Sequence, residues 1–170
     1  MNQAPSHSLT RRHLVAGAAA AGATLALPAV ALAQAQSPAK TPLVGPLAPN
    51  PVEFKKTIDA FIGQATPQTE GLQLDIPLLA DNPSAVPIKA KVTLPITEQD
   101  WCEEIIVVAE LNPTPLACRV QFTADTGTAE VAVRMRLSQS QAVHVLARMK
   151  SGAVLQGKQM VTSAASGCGM

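Results

Sequence analysis

The sequence predicts an all-β protein, an immunoglobulin-like antiparallel sandwich of about seven strands with one short N-terminal helix. From residue 71 onward, apolar residues alternate with polar ones at a period of two, as in strands with one buried face. Turn residues separate these segments, and the chain contains 14 prolines and 10 glycines, which favours many turns over long helices. No helical segments lie between the strands, so a parallel sheet is not predicted.

Seven segments carry the strand pattern. Most alternate strictly, but residues 104–111 are apolar at almost every position, which is typical of a strand covered on both faces. Asn112-Pro113 and Asp125-Thr126-Gly127 have the composition of turns. The predicted strands are residues 72–78, 86–94, 104–111, 116–123, 131–137, 142–149 and 153–162.

The one predicted helix covers residues 52–64. Apolar residues recur there near helical spacing, and Gly63 offers a stop. The apolar stripe must be covered by the sheet or by a partner. The stripe consists of Val52, Phe54, Ile58, Phe61 and Ile62.

The chain divides into four segments. Residues 1–33 have a basic start with Arg11-Arg12, an uncharged apolar run and the small-residue site Ala31-Leu32-Ala33, which together predict a cleaved signal peptide rather than a membrane anchor. The order Thr10-Arg11-Arg12-His13-Leu14 resembles a twin-arginine export signal, so the expected location is the bacterial periplasm. A proline-rich leader (34–51), the helix-plus-sandwich domain (52–162) and a flexible C-terminal arm (163–170) follow.

Composition argues against several classes of function. The chain has 13 basic and 12 acidic residues and a formal net charge of +1, so no nucleic-acid partner is expected. The aromatic fraction of 2% disfavours stacking platforms for bases. Once the signal is removed, no membrane association is expected either.

Catalytic and metal-binding patterns are also missing from the sequence. The only histidine after the leader is His144, and a lone histidine in a strand is more often solvent-facing or hydrogen-bonded than functional. Glu103 and Glu104 are adjacent on a strand and would point to opposite faces. With no CxxC or HxxxH spacing, the chain is expected to hold no metal and no cofactor and not to be an enzyme.

Two of the three cysteines lie within the predicted sandwich. Cys118 falls on the apolar register of its strand and is expected to be a buried small hydrophobe. If residues 112–115 are a hairpin loop, Cys118 lies opposite Ala109 and far along the strand from Cys102, which argues against a disulfide between them. Three alternatives remain for Cys102: a free thiol, a disulfide with another chain, or a partly covered structural residue.

Cys168 differs from the other two because Gly167 and Gly169 flank it in a terminal segment of small residues. Such a segment predicts an exposed, mobile thiol on a tether. A solvated thiol is mostly protonated at neutral pH, which suits a carrier that reacts only inside a partner's site. A stray thiol on a frayed tail is the alternative.

The sequence resembles the SoxY family, the sulfur-carrier subunits of thiosulfate-oxidising systems. The similarity runs through residues 72–92, 97–123 and 129–152 and ends in Gly167-Cys168-Gly169. It implies an immunoglobulin-like sandwich that forms a heterodimer with a SoxZ sandwich subunit. It also implies that Cys168 is the covalent sulfur attachment residue on an arm that swings between periplasmic Sox enzymes.

The tail departs from the Gly-Gly-Cys-Gly-Gly pattern of that family at Ser166 and Met170. The resemblance as a whole nevertheless implies a periplasmic carrier of sulfur intermediates, with Gly167 and Gly169 supplying arm flexibility. The alternative is a structural or binding sandwich module in which Cys168 forms an intermolecular disulfide.

Overall fold

The computed structural model describes residues 43–164, which contain one α-helix, two short 3-10 helices (Gly45–Leu47 and Ala124–Thr126) and the eight strands of a sandwich. The predicted signal peptide and the Cys168 region lie outside the described residues. The elements are α1 (Pro51–Ile62), β1 (Leu72–Asp75), β2 (Leu79–Ala80), β3 (Val86–Val92), β4 (Cys102–Ala109), β5 (Leu116–Gln121), β6 (Glu130–Met135), β7 (Gln141–Met149) and β8 (Val154–Ser163).

The strands form two sheets, which confirms the predicted sandwich. One sheet has the order β1-β3-β6, and the other has the order β2-β8-β7-β4-β5. Every pairing is antiparallel except that of β2 with β8, which is parallel. Strand β2 is an addition to the seven predicted strands, because two residues are too few to show a period in the sequence.

The main core lies between the two sheets and is built almost entirely from aliphatic side chains. Strand β3 shows the alternation most clearly, since its residues are buried and exposed in strict turn. Strand β4 is buried along nearly its whole length, as its continuous apolar sequence predicts. Its two faces serve two different cores, one between the sheets and one beneath α1.

Helix α1 covers the outer face of the five-stranded sheet. Asn50 caps its N-terminus by accepting a hydrogen bond from the Glu53 N–H (3.1 Å), and Gly63 ends it at a positive φ of 61°. Phe61 packs with Ile106 and Leu146 of the sheet. Four of the five stripe residues are therefore covered by the protein's own sheet, whereas Val52 is exposed on the outward side of the helix.

Arg148 of β7 secures the C-terminal end of α1. Its guanidinium donates a hydrogen bond to the Phe61 carbonyl (2.6 Å) and lies 4.4 Å from the centre of the Phe61 ring. The charge thus satisfies one of the helix-end carbonyls and interacts with the ring face at the same time. This double contact fixes where the helix ends on the sheet.

The predicted Asn112-Pro113 turn is held by its asparagine side chain. The Asn112 amide donates to the Arg136 carbonyl (2.8 Å), and its oxygen accepts from the Gln141 amide (2.8 Å) and the Ser138 N–H (3.0 Å). Because these groups belong to the connection between β6 and β7, one side chain ties the loop after β4 to a neighbouring connection.

The hairpin between β4 and β5 corrects the predicted register. Leu116 lies opposite Val108 rather than Leu111, and Cys118 lies opposite Val107 rather than Ala109. A bulge between these pairs leaves Ala117 without a partner, so Leu116 packs beneath α1 while Cys118 faces the main core. The prediction placed both on one face because a bulge breaks strict alternation.

Candidate functional site

The predicted attachment residue lies just beyond the end of the last strand. Cys168, Gly167 and Gly169 are outside the described residues, which end at Ala164. The Ala164 N–H donates to the Ala80 carbonyl (3.0 Å), and the Ser163 N–H donates to the Ser140 hydroxyl (3.0 Å). These bonds anchor the base of the C-terminal segment at the β2–β8 corner of the sandwich, which we call the arm root (Ser163 and Ala164).

Cys102 is a buried core residue. Its side chain is 1% exposed, it lies opposite Met149, and its thiol is 3.5 Å from the Glu104 carbonyl oxygen. Burial raises the pKa of the Cys102 thiol from 9.0 to about 11. The sequence left open an intermolecular disulfide at Cys102. A thiol that is 1% exposed cannot reach another chain, so that alternative is wrong.

Cys118 is half-buried, and its side chain packs on the apolar face of its strand as predicted but is less covered than expected. It packs at the margin of the main core on β5, which is an edge strand. Burial raises the pKa of the Cys118 thiol as well. Cys102 and Cys118 are both free, which confirms that they form no disulfide with each other.

The thiols should therefore differ sharply in reactivity. In the native protein at pH 8 we expect one of the three cysteines to react rapidly with an aromatic disulfide and all three to react after unfolding in guanidinium chloride. A pKa near 11 leaves about one thousandth of Cys102 as thiolate at that pH. Raising the pH should increase the thiolate fraction of Cys102 about tenfold per pH unit until the pH approaches its pKa.

The control for this titration is Cys168→Ala, which should remove the fast phase and leave the two slow thiols. A fast phase that survives in this variant would mean that a sandwich cysteine is the reactive one.

His144 is buried beneath α1, so of the two non-functional roles expected for it the hydrogen-bonded side chain is observed and the solvent-facing one is not. Its Nε2 lies 3.3 Å from a Glu110 carboxylate oxygen, and its ring makes an edge contact with Phe54 at 5.1 Å between centroids. Burial lowers the pKa of His144 despite the neighbouring carboxylate, and Nδ1 has no hydrogen-bond partner among residues 43–164. This arrangement joins the helix to the sheet, and the imidazole is hydrogen-bonded to a carboxylate rather than to a nucleophile of the described chain.

Glu103 and Glu104 have separate partners but line the same surface pocket, together with Trp101 and Arg148. The β4 bulge at Glu103 breaks the alternation, so the prediction that the two side chains point to opposite faces is wrong. The Glu103 carboxylate pairs with Lys150 (3.2 Å), and the nearly buried Glu104 carboxylate pairs with Arg119 (2.8 Å). Each carboxylate is bound to its own cation, so the two do not form an acid–base pair.

Within residues 43–164, no group of three or more histidine, cysteine or acidic side chains is placed to hold a metal ion. The same described range contains no helix that is long and apolar enough to cross a membrane.

The fold and the site define a class: an all-β sandwich with a helix packed on its larger sheet and a cysteine-bearing segment following its last strand. A sequence profile for the sulfur oxidation protein SoxY matches residues 58–168. The chain belongs to the SoxY family, and the matched span reaches Cys168.

Comparison with solved structures agrees on the fold. The sulfur carrier protein SoxY from Chlorobium limicola f thiosulfatophilum superposes with a TM-score of 0.55 at 19% identity, covering 68% of this chain and 99% of that one. A superoxide reductase (neelaredoxin) from Ignicoccus hospitalis gives a TM-score of 0.47 at 10% identity, covering 56% of this chain and 82% of that one. No curated protein sequence matches the chain.

The sequence did not reveal the groups that hold the arm root. Ala80 contributes a backbone carbonyl and Ser140 a hydroxyl, and neither belongs to a recognisable motif. The only available signal is the short apolar segment Leu78-Leu79-Ala80, which the predicted strand 72–78 absorbed in part.

Proposed function

We propose that this chain carries sulfur intermediates covalently on Cys168 during thiosulfate oxidation. Its membership of a family of sulfur oxidation proteins supports the pathway. One observation supports the residue most strongly: burial raises the pKa of both sandwich thiols, whereas the family match extends to the remaining cysteine. Cys102 and Cys118 are thus poor competitors for sulfur.

Loading joins the thiol sulfur to the terminal sulfur of thiosulfate. The S–H bond of Cys168 is lost as a proton, an S–S bond forms, and two electrons leave the pair of sulfurs. The product is a cysteine S-thiosulfonate. The two electrons pass to a second protein, a haem-containing oxidase that couples thiosulfate to the carrier. The carrier itself supplies only the sulfur nucleophile.

Unloading is a hydrolysis. Water attacks the sulfonate sulfur, the bond between that sulfur and the outer sulfur of the disulfide breaks, and sulfate and two protons are released. The electron pair stays on the outer sulfur, so Cys168 is left as a persulfide. Because a partner hydrolase activates the water, the chain needs no metal, cofactor or general base and acts as a carrier rather than an enzyme.

Gly167 and Gly169 suit a segment that must enter a narrow active site. Neither residue adds a side chain beside the sulfur, and glycine permits many backbone conformations. We assign them arm flexibility, with Cys168 as the only attachment residue.

The carrier should form a heterodimer with a SoxZ-like sandwich subunit in the periplasm, after export by the twin-arginine route. The apolar stripe of α1 is packed on its own sheet, so this subunit must bind elsewhere, on a sheet face or on the outward side of the helix. The outward side carries Val52, Lys55 and Asp59.

Intact-mass analysis of the protein from a periplasmic fraction of thiosulfate-grown cells tests this proposal. We expect one sulfur-containing adduct per chain that a reductant removes, and a second small sandwich subunit in equal amounts. A disulfide-linked homodimer without adducts would instead favour the structural module.

A further inference from the structure

Three large apolar side chains close to the arm root are exposed. Leu78 is 69% exposed, Leu79 is 55% exposed and Met160 is 60% exposed. Single exposed apolar residues are ordinary on protein surfaces, but a group of them marks a surface that another molecule covers. We call these three residues the root patch.

The strand register places the root patch against the arm root. Leu79 lies opposite Thr162 in the parallel β2–β8 pair, and Met160 is two residues before Thr162, on the same face of β8. The Leu78 carbonyl accepts the Thr162 N–H (2.8 Å). Leu79 and Met160 therefore share one face of the sheet edge beside the arm root, and Leu78, which directly precedes Leu79, adjoins them at the same edge.

Covalent geometry limits how far the sulfur can be from this corner. Cys168 is four positions after Ala164, and a fully extended chain spans at most about 3.6 Å per residue. The Cys168 Cα therefore lies within about 14 Å of the Ala164 Cα. A partner that encloses the thiol in a channel must bring the channel mouth against the sandwich at the arm root.

We propose that Leu78, Leu79 and Met160 form the docking surface for the enzyme that loads Cys168, and that the mouth of this enzyme's channel presents apolar side chains to them. The inference rests on the proposed carrier function. A contact of three side chains is small, so it favours a short-lived complex. A carrier that must visit successive enzymes needs to dissociate from each of them.

The test uses the double variant Leu79→Gln/Met160→Gln in the intact heterodimer. The matched control is Val44→Gln, because Val44 is 80% exposed but lies in the segment before α1. The probe is thiosulfate together with the thiosulfate-coupling haem oxidase of the same organism. The measured quantities are kcat and KM for loading and the rate at which Cys168 reacts with a small aromatic disulfide.

We expect the KM of the oxidase for the double variant to rise on the order of tenfold, equivalent to about 1.4 kcal/mol, with kcat little changed. Val44→Gln should behave like the parent protein. The small disulfide should react with Cys168 at the same rate in all three proteins, since the patch does not alter the thiol. Leu79→Gln alone should give a smaller rise in KM.

An unchanged KM in the double variant would overturn the docking proposal while leaving the carrier function intact. Loss of the second sandwich subunit or of self-association in the variant would also overturn it, because the patch would then belong to that interface. If the parent protein itself is not loaded on Cys168, the carrier function fails first, and the docking proposal fails with it.

Discussion

Replacing Cys168 with Ala is expected to abolish sulfur loading completely and to leave the free energy of unfolding unchanged. Loading requires a bond to sulfur, which alanine cannot form. The described fold ends at Ala164, and a short terminal segment of glycine, alanine and serine around the cysteine is expected to contribute little to stability. The measurements are thiosulfate-dependent electron transfer to the oxidase in a reconstituted mixture, and chemical denaturation of the variant.

The matched control is Cys118→Ala. This variant should be loaded at the parent rate but should lose some stability, because its half-buried side chain packs against the main core. If Cys168→Ala retained thiosulfate-dependent turnover while Cys118→Ala lost it, the assignment of the attachment residue would be wrong.

The largest effect on stability is expected for Phe61→Ala, at about 3–5 kcal/mol. Phe61 is the one buried residue of α1 and is 3% exposed among Ile106, Val108, Leu146 and Val154. Truncation leaves a cavity and removes the ring beneath the Arg148 guanidinium. Since domains of this size are stable by only about 5–15 kcal/mol, chemical denaturation should detect the loss readily.

Val52→Ala is the control on the same helix, because Val52 is 76% exposed. Its effect should lie within about 0.5 kcal/mol, as for most surface substitutions. A loss below about 1 kcal/mol for Phe61→Ala would contradict the view that α1 is an integral layer of the fold.

The elements of the fold could be predicted because each has a clear period. The helix predicted over 52–64 is observed at Pro51–Ile62, and all seven predicted strands are present. A helix or a strand that buries one face needs apolar residues on that face. This gives the sequence a helical period or a strict alternation, which can be recognised without the structure. The sequence did not show what the apolar stripe of the helix packs against, because such a stripe can pack equally well on the protein's own sheet or on a partner.

Bulges account for the errors at the cysteines. The register of β4 shifts between Cys102 and Glu104, which turns Cys102 onto the same face as Ile105 and Val107. Without the shift, Cys102 would share the face of Glu104 and Ile106. An inserted residue moves all the strand residues before it to the opposite face of the sheet. The pattern of apolar and polar side chains alone does not show where the insertion lies.

The candidate site was found from chemical composition rather than periodicity. The Gly167-Cys168-Gly169 segment stands out in the sequence, but the groups that hold the arm root do not. The Ala80 carbonyl and the Ser140 hydroxyl meet β8 only because the sheet brings residues distant in sequence together. The root patch could likewise be recognised only in the folded structure. In the sequence, Leu79 directly follows one predicted strand and Met160 lies within another, and neither stands out.

The most direct test of the account is to locate the sulfur adduct by tryptic mapping after loading with thiosulfate. Cleavage after Lys158 releases residues 159–170 with Cys168 alone, whereas Cys102 and Cys118 lie together in residues 92–119. The account predicts the adduct on 159–170 and unmodified cysteines in 92–119. An adduct confined to 92–119 would contradict it.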